Sequence, residues 1–187
     1  MIALDCDDLF ATWREQARVL LGHGIDPSEI TWNQGPMADL LAVPTALPAG
    51  PGPFRAKVPA QLLGQLELAS RYRGEQRWNL LYEVLWRVAH GDRTAMLAGD
   101  RLGSELQRRI KQVTREAHHL HAFVRFVPLP EVVAGQLQLD LVAYHEPAHD
   151  VLQSASAHFA DRLGKLRWLI ATPQDGIRFD GAGFDYQ

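Results

Sequence analysis

The run Lys111-Gln-Val-Thr-Arg-Glu-Ala-His-His-Leu-His-Ala-Phe-Val-Arg-Phe126 gathers cationic, imidazole and carboxylate side chains in one short stretch. His118 and His121 stand three apart, on neighbouring faces if the stretch is helical. A second group follows in His145, Glu146 and His149. Imidazole titrates near neutral pH and serves as a general acid or base. Together with carboxylate it also suits zinc or iron. The candidate catalytic residues are therefore His118, His121, His149 and Glu146, as acid–base groups or as ligands of a divalent metal. Spacing alone does not fix ligand geometry, so the metal stays unassigned and no cofactor is certain.

His145-Glu-Pro-Ala-His149 fits the string H-E-x-x-H. In metalloproteases that string needs both histidines one turn apart on a continuous helix. Pro147 disfavours helical backbone at Glu146 and cannot donate within a helix. His145 is expected at a strand end and His149 at a helix start, and the protease reading is set aside.

The histidines need a frame, and the stretch before them supplies one. At about 100° per residue, Leu102, Leu106, Ile110, Val113, Ala117 and Leu120 fall on one side of a helix over 101–120. Arg101, Arg108, Lys111, Arg115 and His118 fall on the other. A row of long cationic side chains matches the line of phosphates in a nucleic-acid backbone. Arg108, Lys111 and Arg115 are the candidate DNA-binding residues, joined by Arg125 on the segment that follows. The plainer alternative is a solvated face supported by neighbours such as Glu105 and Glu116.

Composition bounds what the rest can be. The chain has 187 residues, 47% of them hydrophobic, with 5 Trp and 7 Phe, enough for a packed core in one domain over 1–187. The net charge of −3 shows that any polyanion binding must be local rather than global. A single cysteine, Cys6, excludes an internal disulfide, a Cys-ligated iron–sulfur cluster and a Cys-rich zinc knuckle. No apolar run is long enough to span a membrane, and the Met-Ile-Ala-Leu-Asp opening lacks the basic start of a signal peptide. The expected location is the cytoplasm. There is no P-loop, no G-x-G-x-x-G after a strand and no G-x-S-x-G.

The pattern of the chain predicts a mixed α/β (α+β) domain, with a mixed sheet of about five strands and a central helical block. Strands are expected at 1–6, 30–34, 122–128, 137–144 and 166–171, with short strand pieces in the tail. Asp7 or Asp8 is expected to cap the first helix, and Gly22 and Gly24 to end it. Residues 35–57, with Pro36, Pro44, Pro48, Pro51 and Pro53, read as a loop. Helices follow from Pro59, over 75–90 and over 150–163. Trp78, Leu81, Tyr82, Leu85, Trp86 and Ala89 mark the clearest helical period, Gly91 stops it, and Asp92 and Asp100 are placed to cap what comes next. His23, His90 and His158 read as structural or surface residues.

Several stretches resemble, in order, a family of bacterial proteins of unknown function associated with DNA repair and DNA metabolism. Arg115 to Phe126 resembles its R-x-x-H-x-M-H-A-F-V-R-F, with Leu120 in place of the methionine, a mild change in an apolar slot. Tyr144-His-Glu-Pro-Ala-His149 resembles its aromatic-x-E-P-x-H segment. Phe159-Ala-Asp-Arg162, Trp168-Leu-Ile-Ala-Thr-Pro173 and Asp180-Gly181 resemble its F-x-x-R, W-x-I-x-T-P and D-G. The motif residues carried over are His118, His121, Arg125, Glu146, His149, Trp168, Asp180 and Gly181. Members of that family are fused to a uracil-DNA-glycosylase-like domain or encoded beside a radical-SAM protein. The resemblance therefore implies DNA, a uracil-DNA-glycosylase-like protein and a radical-SAM protein as partners, and no reaction of the domain's own.

Three functions remain open at this point. The favoured one is a DNA-binding protein of repair or modified-base metabolism. The second is a hydrolase acting on nucleic acid through a His/Glu site, with or without metal. The third is an adaptor that recruits protein partners through Trp- and Pro-rich surfaces.

Overall fold

The computed structural model describes residues 2–7, 9–34 and 46–187, and only the backbone of residues 33 and 34. Asp8 and residues 35–45 of the expected loop lie outside the described residues; residues 46–57 form neither helix nor strand. The fold is α/β. Among the described residues there are six α-helices, a mixed five-stranded sheet and a separate pair of strands. Backbone contacts divide the chain into two units, residues 1–110 and 111–187.

The first unit opens with β1 (Ile2–Cys6), which pairs in parallel with β2 (Ile30–Gln34), Ile2 opposite Ile30. A parallel pair needs a crossover, and α1 (Phe10–Gly22) supplies it. Leu9, not Asp7, holds the N-cap position and gives no side-chain cap; Asp7, just outside the helix, accepts the Leu9 N–H at 3.2 Å and the Thr12 hydroxyl at 2.9 Å. α2 (Ala60–Ser70) and α3 (Arg77–Ala89) follow. Trp13, Trp78 and Tyr82 are buried with Leu20, Leu62, Leu66 and Leu81. Trp13 stacks on Trp78 at 5.8 Å between ring centres. Gly91, at φ +96°, turns the chain out of α3 as only glycine does without strain. Arg87 then locks the following segment: its guanidinium reaches Asp92 at 2.6 Å and Asp100 at 2.9 Å. Asp100 also accepts the Leu102 N–H at 2.9 Å, satisfying an orphan donor at the start of α4 (Arg101–Phe123).

The second unit holds the rest of α4, then β3 (Val127–Pro128), α5 (Glu131–Leu137), β4 (Leu141–Tyr144), α6 (Leu152–Leu163), β5 (Trp168–Ala171), β6 (Gly176–Phe179) and β7 (Phe184–Tyr186). The sheet order is β3-β4-β5-β6-β7, with β4 and β5 parallel and the other neighbours antiparallel. α6 is the crossover that the parallel pair requires. Trp168 on central β5 is fully buried and meets Phe126, Phe159, Phe179 and Phe184 at 5.5–6.1 Å between ring centres.

Two expected strands are corrected. The 122–128 segment is helical to Phe123, because Leu120 and Val124, four apart, are both buried. Only Val127 and Pro128 pair, on an edge strand whose proline has no N–H to extend the ladder. The 137–144 segment is strand only from Leu141. Leu137 ends α5, half exposed, and Gln138 turns the chain at φ +54°. Arg167 holds that turn, donating to the Gln138 side chain at 2.8 Å and pairing with Asp140 at 2.6 Å. The Asp140 N–H also donates to the Arg167 carbonyl and the Arg167 N–H to the Asp140 carboxylate, so the pair clamps β4 to β5. Arg167 holds the Asp140 carboxyl down to about 2.

Candidate functional site

α4 displays the two faces that its period predicts. Leu102, Leu106, Val113 and Leu120 are buried, whereas Arg101, Arg108, Lys111, Arg115 and His118 are exposed. The exposed cations are not equivalent. Arg108 meets Glu105 through two hydrogen bonds of 2.6 Å each and lies over the Tyr72 ring at 5.3 Å. Its charge is largely answered inside the protein, and Arg108 holds the Glu105 carboxyl at about 2. Arg101 stands 3.6 Å from Glu83. Among the described residues Lys111 and Arg115 have no carboxylate within ion-pair distance.

Arg109, which was not singled out, is buried beside the row, paired with Glu105 at 2.8 Å and placed over Tyr72 at 4.9 Å. Arg125 is exposed and folds back, its Nη1 donating to the carbonyls of Ala122 at 3.2 Å and Val124 at 3.3 Å. It therefore caps the carbonyl end of α4.

A carboxylate that the sequence had placed only as a helix neighbour ties α4 to the loop of the second histidine group. Glu116 accepts the backbone N–H of Ala148 at 3.0 Å. This bond holds the loop of His145, Glu146 and His149 against the α4 turn that leads into His118. His145 stands at the end of β4, its N–H on the Ala171 carbonyl at 3.1 Å, and residues 148–150 are bends before α6. His145 and His149 are thus not on one helix, as Pro147 requires. Glu146 is exposed and accepts the Tyr144 hydroxyl at 2.7 Å, which raises that hydroxyl above its ordinary range. His149 is half-buried and His118 exposed.

His121 points elsewhere. Its ring stacks on His158 at 4.2 Å and meets the edge of Phe159 at 5.7 Å. Burial, and then the neighbouring His158, lower it below the usual imidazole value. His158 read as a surface residue and is exposed; its spacing from Phe159 on α6 carried no sign of a partner on α4. Among the described residues no group of three or more His, Cys, Asp and Glu side chains is arranged to hold a metal ion. No helix among them is long and apolar enough to cross a membrane.

The other motif residues shape the fold. Trp168 fills the centre of the core. Asp180 accepts the N–H groups of Ala182 and Gly183 at 2.8 Å each, and so builds the β6–β7 turn.

Neither a curated protein nor a solved structure matches this chain. Residues 75–180, more than half of the chain and all eight candidate catalytic and DNA-binding positions, match the family model described as a domain of unknown function, DUF4130. The chain belongs to the DUF4130 family.

Proposed function

We propose that the chain is a DNA-binding protein of DNA repair or modified-base metabolism, with α4 laid along the phosphate backbone. The observation that carries this reading is the exposed pair Lys111 and Arg115, one turn apart on a helix whose other face is buried at Val113 and Leu120. Two cations four residues apart can each reach a phosphate oxygen, and among the described residues neither has a carboxylate partner to release first. Arg108 contributes less, because Glu105 already occupies its guanidinium. Arg125 contributes after its capping role. The resemblance to proteins of DNA metabolism supports the same reading, with a uracil-DNA-glycosylase-like protein and a radical-SAM protein as its partners.

A second reading, hydrolysis of nucleic acid by His118, His149 and Glu146, draws on the Glu116–Ala148 bond, which ties the loop of His149 to the helix of His118. His121 fits that role less well, being stacked on His158.

Fluorescence anisotropy with labelled duplex and single-stranded DNA at low salt tests the first reading. Binding that weakens for all sequences alike in K111A/R115A is expected. Absence of binding at low salt rejects it. Product release from uracil-containing or abasic DNA, lost in H149A, would turn the account to the second.

A further inference from the structure

The first unit contains a cavity of about 420 Å³ that the DNA-binding reading does not use. This volume lies in the range of small-molecule sites. Trp13, Leu63 and Leu85 line it with apolar surface, while Arg14, Arg18 and Arg55 contribute the charge. No carboxylate belongs to the lining among the described residues. Arg14 and Arg18 are four apart on α1, so their side chains lie on one face of the helix. Both are exposed, and no ion pair engages them among the described residues.

The wall is fixed rather than loose. Gly22 and Gly52 approach so closely that a Cβ on Gly52 would overlap the Gly22 carbonyl. The Phe54 N–H donates to that carbonyl at 2.9 Å, and Arg55 donates to the Gly52 carbonyl at 2.7 Å. Phe54 is in turn stacked on His90 at 4.9 Å. Trp13, itself fully buried, contributes apolar ring surface to this wall.

We propose that this cavity binds a small amphipathic organic anion, an apolar body against Trp13, Leu63 and Leu85 with a carboxylate or phosphate head at Arg14 and Arg18. The apolar lining excludes a bare inorganic anion as the fitting ligand, and the arginines favour a charged head over a neutral one.

The test uses the full chain and the fluorescent anion 8-anilinonaphthalene-1-sulfonate. One saturable site is expected. R14Q/R18Q should weaken it about tenfold or more, the weight of one or two charge-assisted hydrogen bonds. L63W, which fills the apolar end, should abolish it while circular dichroism and Tm stay those of the wild type. Competition by octanoate but not octanol assigns an acyl carboxylate; competition by thymidine 5′-monophosphate but not thymidine assigns a nucleotide. The proposal is overturned by no saturable binding, by binding that both variants leave unchanged, or by competition in which neutral and anionic partners are equal. DNA binding by Lys111 and Arg115 is read separately and stands or falls independently.

Discussion

Glu116 on α4 accepts the backbone N–H of Ala148 at 3.0 Å, and this one bond joins the helix of His118 to the loop of His145, Glu146 and His149. Replacing Glu116 by Ala removes the acceptor and should destabilise the chain by about 1 kcal/mol, with faster amide exchange at Ala148. E116Q keeps an oxygen at that position and should retain most of the protection. Equal exchange in E116A and wild type would show that the loop is held by other means.

His121 is lowered from the usual imidazole value by burial and by His158. Its titration followed by NMR should have a midpoint below 6.5, and H158Q should raise it. The unfolded chain then binds the proton more readily than the folded one. The stability linked to His121 is full above the ordinary value, falls as the pH drops below it, and stops falling beneath the folded value. A midpoint at or above 6.5 would contradict the stacked, partly desolvated geometry.

Asp140 should titrate at about 2 in the folded chain, because Arg167 donates to it from both side chain and backbone. R167Q should move that midpoint back toward the ordinary carboxylate value. The associated stability is present above the ordinary value of 3.8 and is lost as the pH falls toward 2. An unchanged midpoint in R167Q would deny the clamp between β4 and β5.

Trp168→Ala should cost about 3–5 kcal/mol, the usual range for a large buried aromatic. Trp168 has no exposure and touches four phenylalanine rings. Urea denaturation measures it; a loss under 1 kcal/mol would mean that the aromatic cluster does not hold the sheet.

Much of the frame was legible because it is local. The apolar period of α3, the ends of β2, the stop at Gly91 and the cap at Asp100 follow from neighbours within a few residues. The two faces of α4 were legible for the same reason. What the pattern missed is long-range. The alternation from Leu137 to Ala143 reads as strand, yet Gln138 turns at positive φ under the hold of Arg167, which is remote in sequence. The strand-like run after His121 yields to the helix, because Val124 is buried one turn beyond Leu120. At the site, His118, His149 and Glu146 could be named from residue type, but the bond from Glu116 and the stacking of His121 on His158 depend on which elements pack together. Likewise, the opposite-charge neighbour Glu105 was visible, though not that it binds both Arg108 and the Nε of the buried Arg109.

The most direct measurement of the central claim is the dependence of log Kd for duplex DNA on log salt, in wild type and in K111A/R115A. If both residues neutralise phosphates, the slope should fall by about two in the double variant, roughly one per lost contact. A slope the same in both proteins would contradict the assignment of α4 to the DNA backbone.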